Sequence, residues 1–177
     1  MSRKLTYLLL CASILLFSFS PANAPEWQLT DGYSIRFKTK KVNGFFHSLK
    51  GKIFFDENNL ATSSFKMEID VASIGTGNSL KTWHSKKKKW FNAKEFPSIT
   101  FNSTKISKTE KGFLASGLLK IKGVEKSVNL PFTFISKVFT GQLTILRSDF
   151  KVGKTTGMSK LVGDTIKVNI TVPVVKL

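Results

Sequence analysis

Cysteine is all but missing. The chain of 177 residues has one, Cys11, inside an apolar N-terminal stretch. Leu10 precedes it, where a lipid-attachment site needs a small residue. Beyond that stretch there is no thiol, which excludes disulfides and cysteine chemistry. Histidine is scarce as well. His47 and His84 are the only two, and neither has a second His or a Cys beside it, as a site of three or four metal ligands requires. There is no Gly-x-Ser-x-Gly elbow and no phosphate-binding glycine loop. Glu68 and Asp70 share a strand face, but the wet one. Catalysis is left without a residue set, so the reading is of a protein that is no enzyme and carries no metal or cofactor.

Long apolar runs are confined to the start of the chain. Arg3 and Lys4 precede an almost wholly apolar run, Leu5 to Phe19, followed by Ser20-Pro21-Ala22-Asn23-Ala24. That is the layout of a secretory signal peptide, and its apolar core is too short to span a membrane. Ala22-x-Ala24 places a cut before Pro25, which fits a protease poorly because proline restricts the extended backbone. Ser20-x-Ala22 places it after residue 22. The expectation is a cleaved leader over residues 1–24, cut after 22 or 24, and a periplasmic or secreted domain over residues 25–177.

Acid is the other shortage. There are 11 acidic residues against 28 basic ones. The leader holds two of the basic residues and none of the acidic ones, leaving a net charge of +15. Such a surface favours anionic partners: phospholipid head groups, polysaccharide or phosphates, with nucleic acid set aside by export.

What is present is phenylalanine and alternation. There are 16 Phe against two Tyr and three Trp. Phe brings bulk with no polar group to satisfy, which suits a dry interior or an apolar pocket. In Ser64 to Val71, Phe65, Met67, Ile69 and Val71 alternate with Ser64, Lys66, Glu68 and Asp70. That is a strand with one dry face. Similar patterns cover Ser34–Lys38, Val42–Phe55 (bent at Gly44 and Gly51), Ser98–Ser107, Gly112–Lys122, Val124–Ile135, Phe139–Leu146 and Thr165–Val175. Pro173 breaks the last of these. Eight strands joined mostly by short turns predict an antiparallel barrel or sandwich, and a closed barrel best fits strands polar on one face throughout. Such a barrel is filled by side chains or holds one small ligand. Ala115 and Gly117, on an inward face, either leave room or let the strand bend.

Residues 74 to 101 depart from the pattern, with a short helical crossing expected near residues 77–92. Asn78 is suited to cap that helix. Lys86, Lys87, Lys88 and Lys89 lie between Trp83 and Trp90, with Phe91 next. Lysine beside tryptophan suits a membrane interface, and equally a solvated helix face.

Taken in order, several pieces form a specific set. They are Ser-Ile-Arg-Phe-Lys at 34–38, Ile69-Asp70-Val71-Ala72-Ser73-Ile74, His84, Trp90-Phe91-Asn92-Ala93-Lys94-Glu95-Phe96-Pro97, Arg147-Ser148-Asp149-Phe150 and Val162-Gly163-Asp164. The chain resembles the YceI-like family of lipid- or polyisoprenoid-binding bacterial proteins, from about Trp27 to Pro173. The resemblance implies an all-β fold: an extended, lipocalin-like, eight-stranded antiparallel barrel holding an apolar isoprenoid lipid, without catalysis. Alternation names the lining as Phe37, Phe54, Met67, Ile69, Phe101, Phe113, Leu119, Phe132, Phe134, Ile166 and Val168. Asn78, His84, Trp90 and Phe91 are candidates for the mouth or the lipid head group. Trp83 with Lys86, Lys87, Lys88 and Lys89 is a candidate membrane contact. The alternative is a cationic protein with a filled core that docks on anionic membrane or polysaccharide.

Overall fold

A computed structural model of the chain describes residues 24–177. The leader expected at the N-terminus lies, up to residue 23, outside the described residues. The strands are β1 (Glu26–Leu29), β2 (Ser34–Lys38), β3 (Asn43–Phe46), β4 (Lys50–Phe54), β5 (Ser64–Asp70) and β6 (Ile74–Gly75), followed after helix α1 (Ser79–Ser85) by β7 (Ser98–Thr109), β8 (Gly112–Ile121), β9 (Val124–Ile135), β10 (Val138–Leu146) and β11 (Thr165–Lys176).

All strands belong to one antiparallel sheet, which β1 closes by pairing with both β4 and β11. The closed ring runs β1, β4, β5, β7, β8, β9, β10, β11 and back to β1, an eight-stranded barrel. The remaining short strands continue staves already counted. β2 follows β1 along β11, β3 pairs with β2, and β6 pairs with β3. The first three staves are therefore long and interrupted.

The interruptions have local causes. Between the pairs Leu29↔Val174 and Ser34↔Thr171, four residues on one stave oppose two on the other. Pro173 falls in this gap, where β11 changes partner from β2 to β1. Its missing N–H leaves no ladder bond unmade there, and its carbonyl accepts from Thr30 N at 3.0 Å. The stretch Val42–Phe55, expected as one bent strand, is split at His47–Leu49. Tyr33 bridges the break: its hydroxyl donates to the His47 carbonyl at 2.8 Å and accepts from Leu49 N at 3.2 Å. Inward positions switch parity across the break, from Gly44 and Phe46 to Ile53 and Phe55.

The hairpins are tight. Lys122 and Gly123 both have positive φ between Ile121 and Val124, and Ser136 and Lys137 do so between Ile135 and Val138. Positive φ at both central residues is the turn geometry that matches strand twist.

Side chains fill one end of the barrel. Phe55 is 1 % exposed and sits among the rings of Phe65, Phe113, Phe132, Phe134 and Phe139, with centroids 5.1–6.2 Å away. A second core of smaller aliphatics, with Phe46 and Phe150, occupies the other end. There β6 pairs only with β3, so the crossing from Thr76 to Pro97 closes the space between β6 and β7. The outer faces of the strands carry exposed Lys66, Lys105, Lys120 and Lys167, the reverse of a barrel whose outside meets lipid.

Candidate functional site

Between the two cores runs an apolar tunnel of about 170 Å³. Its 26 lining residues come from all eight staves and from the segments that cap the second end, and one of them, Arg147, is charged. An apolar cavity of roughly 150 Å³ is already large enough to admit benzene and stay dry.

The tunnel receives Phe37, Met67, Ile69, Phe101, Leu119, Phe132, Ile166 and Val168 from the alternation-based list. Three others go elsewhere. Phe54 is not in the lining, and Ile53 takes the inward position. Counting from Phe46 through a continuous strand gives the wrong parity, because the break at His47–Leu49 resets it. Phe113 and Phe134 point inward but belong to the ring cluster at the filled end. Phe113 stacks on Phe132 at 5.3 Å, and Phe134 meets Trp27 edge-on at 5.0 Å. Ala115, wholly buried, packs in the same cluster. Gly117 answers to the strand-bend reading. It faces the register shift between Ser103 and Lys105, and a Cβ there would meet Ser103 Cα at 2.8 Å.

Of the mouth candidates, Phe91 lines the tunnel and Trp90 packs just behind it. Asn78 is exposed and caps α1, its Oδ1 accepting from Lys81 N at 2.9 Å. His84 is exposed, with its ring edge-on to Trp83 at 4.8 Å. Neither reaches the tunnel lining. Trp83 is 53 % exposed, and Lys87 Nζ lies 4.2 Å from its ring centre. Lys86 is half-buried, and Lys87, Lys88 and Lys89 are exposed.

Alternation does not reveal the residue that organises the capped end. Arg147 is 2 % exposed. Its Nε donates to the Gly163 carbonyl at 2.6 Å, Nη1 to those of Val152 and Lys154 at 2.9 and 3.1 Å, and Nη2 to that of Ser159 at 3.1 Å. Four of its five N–H donors are thus spent on carbonyls of the loop that follows β10. The Trp90 ring centre lies 5.7 Å from the guanidinium carbon. Beside it, Asp164 accepts from Ser148 N at 3.0 Å and Oγ at 2.7 Å. The two sequence pieces Arg147-Ser148-Asp149-Phe150 and Val162-Gly163-Asp164 therefore meet as one latch. Arg147 follows a run of alternating apolar residues, and nothing in hydropathy marks an arginine there as buried.

The latch is tied to the crossing. Gly153 N donates to the Lys89 carbonyl at 3.0 Å, and Lys122 Nζ donates to the carbonyls of Lys151 and Lys89 at 2.9 and 3.4 Å. Burial pushes the Lys122 ammonium below its ordinary value, against an opposing pull from Glu95.

The YceI-like domain profile matches residues 27–174. A UPF0312 protein of Yersinia enterocolitica is 31% identical over 133 residues, covering 71% of this chain and 69% of its own. The structure is similar to that of BcnA from Burkholderia cenocepacia, with a TM-score of 0.77 and 28% identity over 84% of this chain and 99% of the other. A polyisoprenoid binding domain from Saccharophagus degradans has the same fold, with a TM-score of 0.62 and 16% identity over 88% of this chain and all of the other. A closed barrel of this topology, matched by that profile over nearly every described residue, makes the chain a member of the YceI-like family.

Proposed function

We propose that the barrel binds a long apolar lipid of the polyisoprenoid class in its tunnel, as a carrier or store rather than a catalyst, in an exported bacterial protein. The observation that carries this reading is the tunnel itself: a continuous apolar lining from every stave, with Arg147 as its one charged member. Apolar burial at roughly 25 cal/mol per Å² supplies the affinity, and no side chain in that lining is arranged for bond chemistry. Pockets that engulf drug-sized ligands hold about 300–1,000 Å³, more than is open here. A long chain therefore enters by displacing pliable lining groups such as Met67 and Leu143, and the tunnel widens around it. A polar head group would meet Arg147 at the capped end. The polyisoprenoid class is supported by the Saccharophagus degradans domain. Export is supported by the leader pattern of the sequence.

The test is organic-solvent extraction of protein purified from its native host, followed by mass spectrometry. A stoichiometric lipid with an isoprenoid fragmentation pattern is expected. A clean blank would sink the proposal. N-terminal sequencing of the same material reads export directly, with Asn23 or Pro25 expected as the first residue.

A further inference from the structure

A lipid in the tunnel does not account for the outside of the capped end. Two surface depressions meet there. One is walled by Lys88, Lys89, Lys122, Lys151 and Lys154 together with small polar residues. The other is walled by Trp83, Lys86, Lys87, Lys88 and Lys94 with Asn92 and Ala93. They share Lys88, so one continuous basic surface spans both. No acidic side chain walls either depression. The two ion pairs among the described residues, Lys50–Glu68 and Lys52–Glu26, join residues of other strands. Of the acids nearby, Glu95 is bonded to Asn92 Nδ2 at 2.6 Å, and Asp164 accepts from Ser148 Oγ at 2.7 Å.

Massed ammonium groups repel one another unless an anion of comparable extent lies against them. A sheet of phospholipid phosphates supplies that at fixed density. A soluble polyanion would supply it too, but it has no use for the exposed apolar groups beside the lysines. Leu80 is 62 % and Trp83 53 % exposed on α1. Tryptophan next to lysine is the pairing that settles at head-group depth.

Orientation follows from the same two segments. Phe91 and Val152 line the tunnel, while Lys89, two residues before Phe91, and Lys151, one before Val152, wall the outer depression. We infer that this lysine and tryptophan face seats the capped end of the barrel on an anionic phospholipid bilayer. The inference goes beyond the lipid-binding reading and does not depend on it, since no residue walling the two depressions lines the tunnel.

The experiment is co-sedimentation of the mature protein with vesicles of phosphatidylglycerol and phosphatidylcholine, against vesicles of phosphatidylcholine alone, near physiological salt. Two quadruple variants are compared. One removes charge from the face: Lys88→Gln, Lys89→Gln, Lys151→Gln and Lys154→Gln. The other removes equal charge elsewhere: Lys66→Gln, Lys105→Gln, Lys108→Gln and Lys111→Gln. Circular dichroism confirms that both fold. The wild type is expected on anionic vesicles only. The face variant should lose at least tenfold in partitioning, and the control should stay within about twofold. Equal loss in both variants would reduce the effect to overall charge and overturn the inference. So would absence of wild-type binding, or complete displacement from vesicles by a soluble anionic polysaccharide at matched charge. Extracting each preparation for lipid keeps the two claims apart, because docking is expected of loaded and empty protein alike.

Discussion

The ring of Phe37 lies over Gly44, its partner across β2 and β3. A methyl group at Gly44 would come within 2.6 Å of Phe37 Cε1 and 2.7 Å of the Gly75 carbonyl oxygen. Phe45, one residue on, covers Gly75 in the same manner on the next pair of strands. Aromatic rings thus fill the space that the two glycines leave, at the part of the barrel where the strand segments are short.

Gly44→Ala is therefore expected to cost about 1–3 kcal/mol, as overpacking does, and to push the Phe37 ring into the tunnel. The urea midpoint measures the first effect. The double variant Gly44→Ala with Phe37→Leu should regain only part of the loss, because the clash with the Gly75 carbonyl remains. Full recovery would mean that the ring alone sets the requirement for glycine.

Tunnel volume is tested by filling it. Val168→Trp places an indole among Phe37, Ile166 and Ile170, all in the lining. Lipid recovered by extraction should fall at least tenfold while the circular dichroism of the barrel is kept. Undiminished lipid would place the binding site elsewhere.

Phe55 anchors the filled end. Phe55→Ala removes the ring at the centre of the aromatic cluster and is expected to cost about 3–5 kcal/mol, read from chemical denaturation. Because Phe55 lies outside the tunnel lining, a protein that stays folded should keep its lipid.

Arg147→Met leaves the carbonyls of Val152, Lys154, Ser159 and Gly163 without their donor. A buried acceptor left unpaired costs about 1–3 kcal/mol, and the loop escapes that cost by opening to water. Limited proteolysis between residues 152 and 163 should quicken at least tenfold, while strand amides hold their hydrogen-exchange protection. Arg147→Lys should restore little, since one ammonium cannot reproduce the planar fork. A loop equally resistant in both variants would deny Arg147 its role as the latch.

The sequence carried the barrel because each long stave alternates without ambiguity. Val124–Ile135 matches β9 end to end, and Asn78 signalled the start of α1. Other parts depend on groups distant in the chain. The strand β1 is only four residues long, Glu26–Leu29, and is held by β4 and β11 rather than by its own pattern. Ile53-Phe54-Phe55 is apolar on both faces, so alternation could not say which side was dry; the pairing Ile53↔Phe65 decides it. The tunnel residues Leu143 and Ile145 follow the alternation of their strand and were available to it. Arg147 was not, because its burial is made possible by carbonyls contributed up to sixteen residues downstream.

The aromatic plug around Phe55 makes the tunnel a blind alley. Cargo held there would have to arrive and leave at the opposite end, where the crossing and the Arg147 latch must part to make a doorway, tail first in and head first out. A donor membrane and an acceptor would have to use that doorway in turn, so transfer would take the form of successive visits rather than a through-passage joining two surfaces at once.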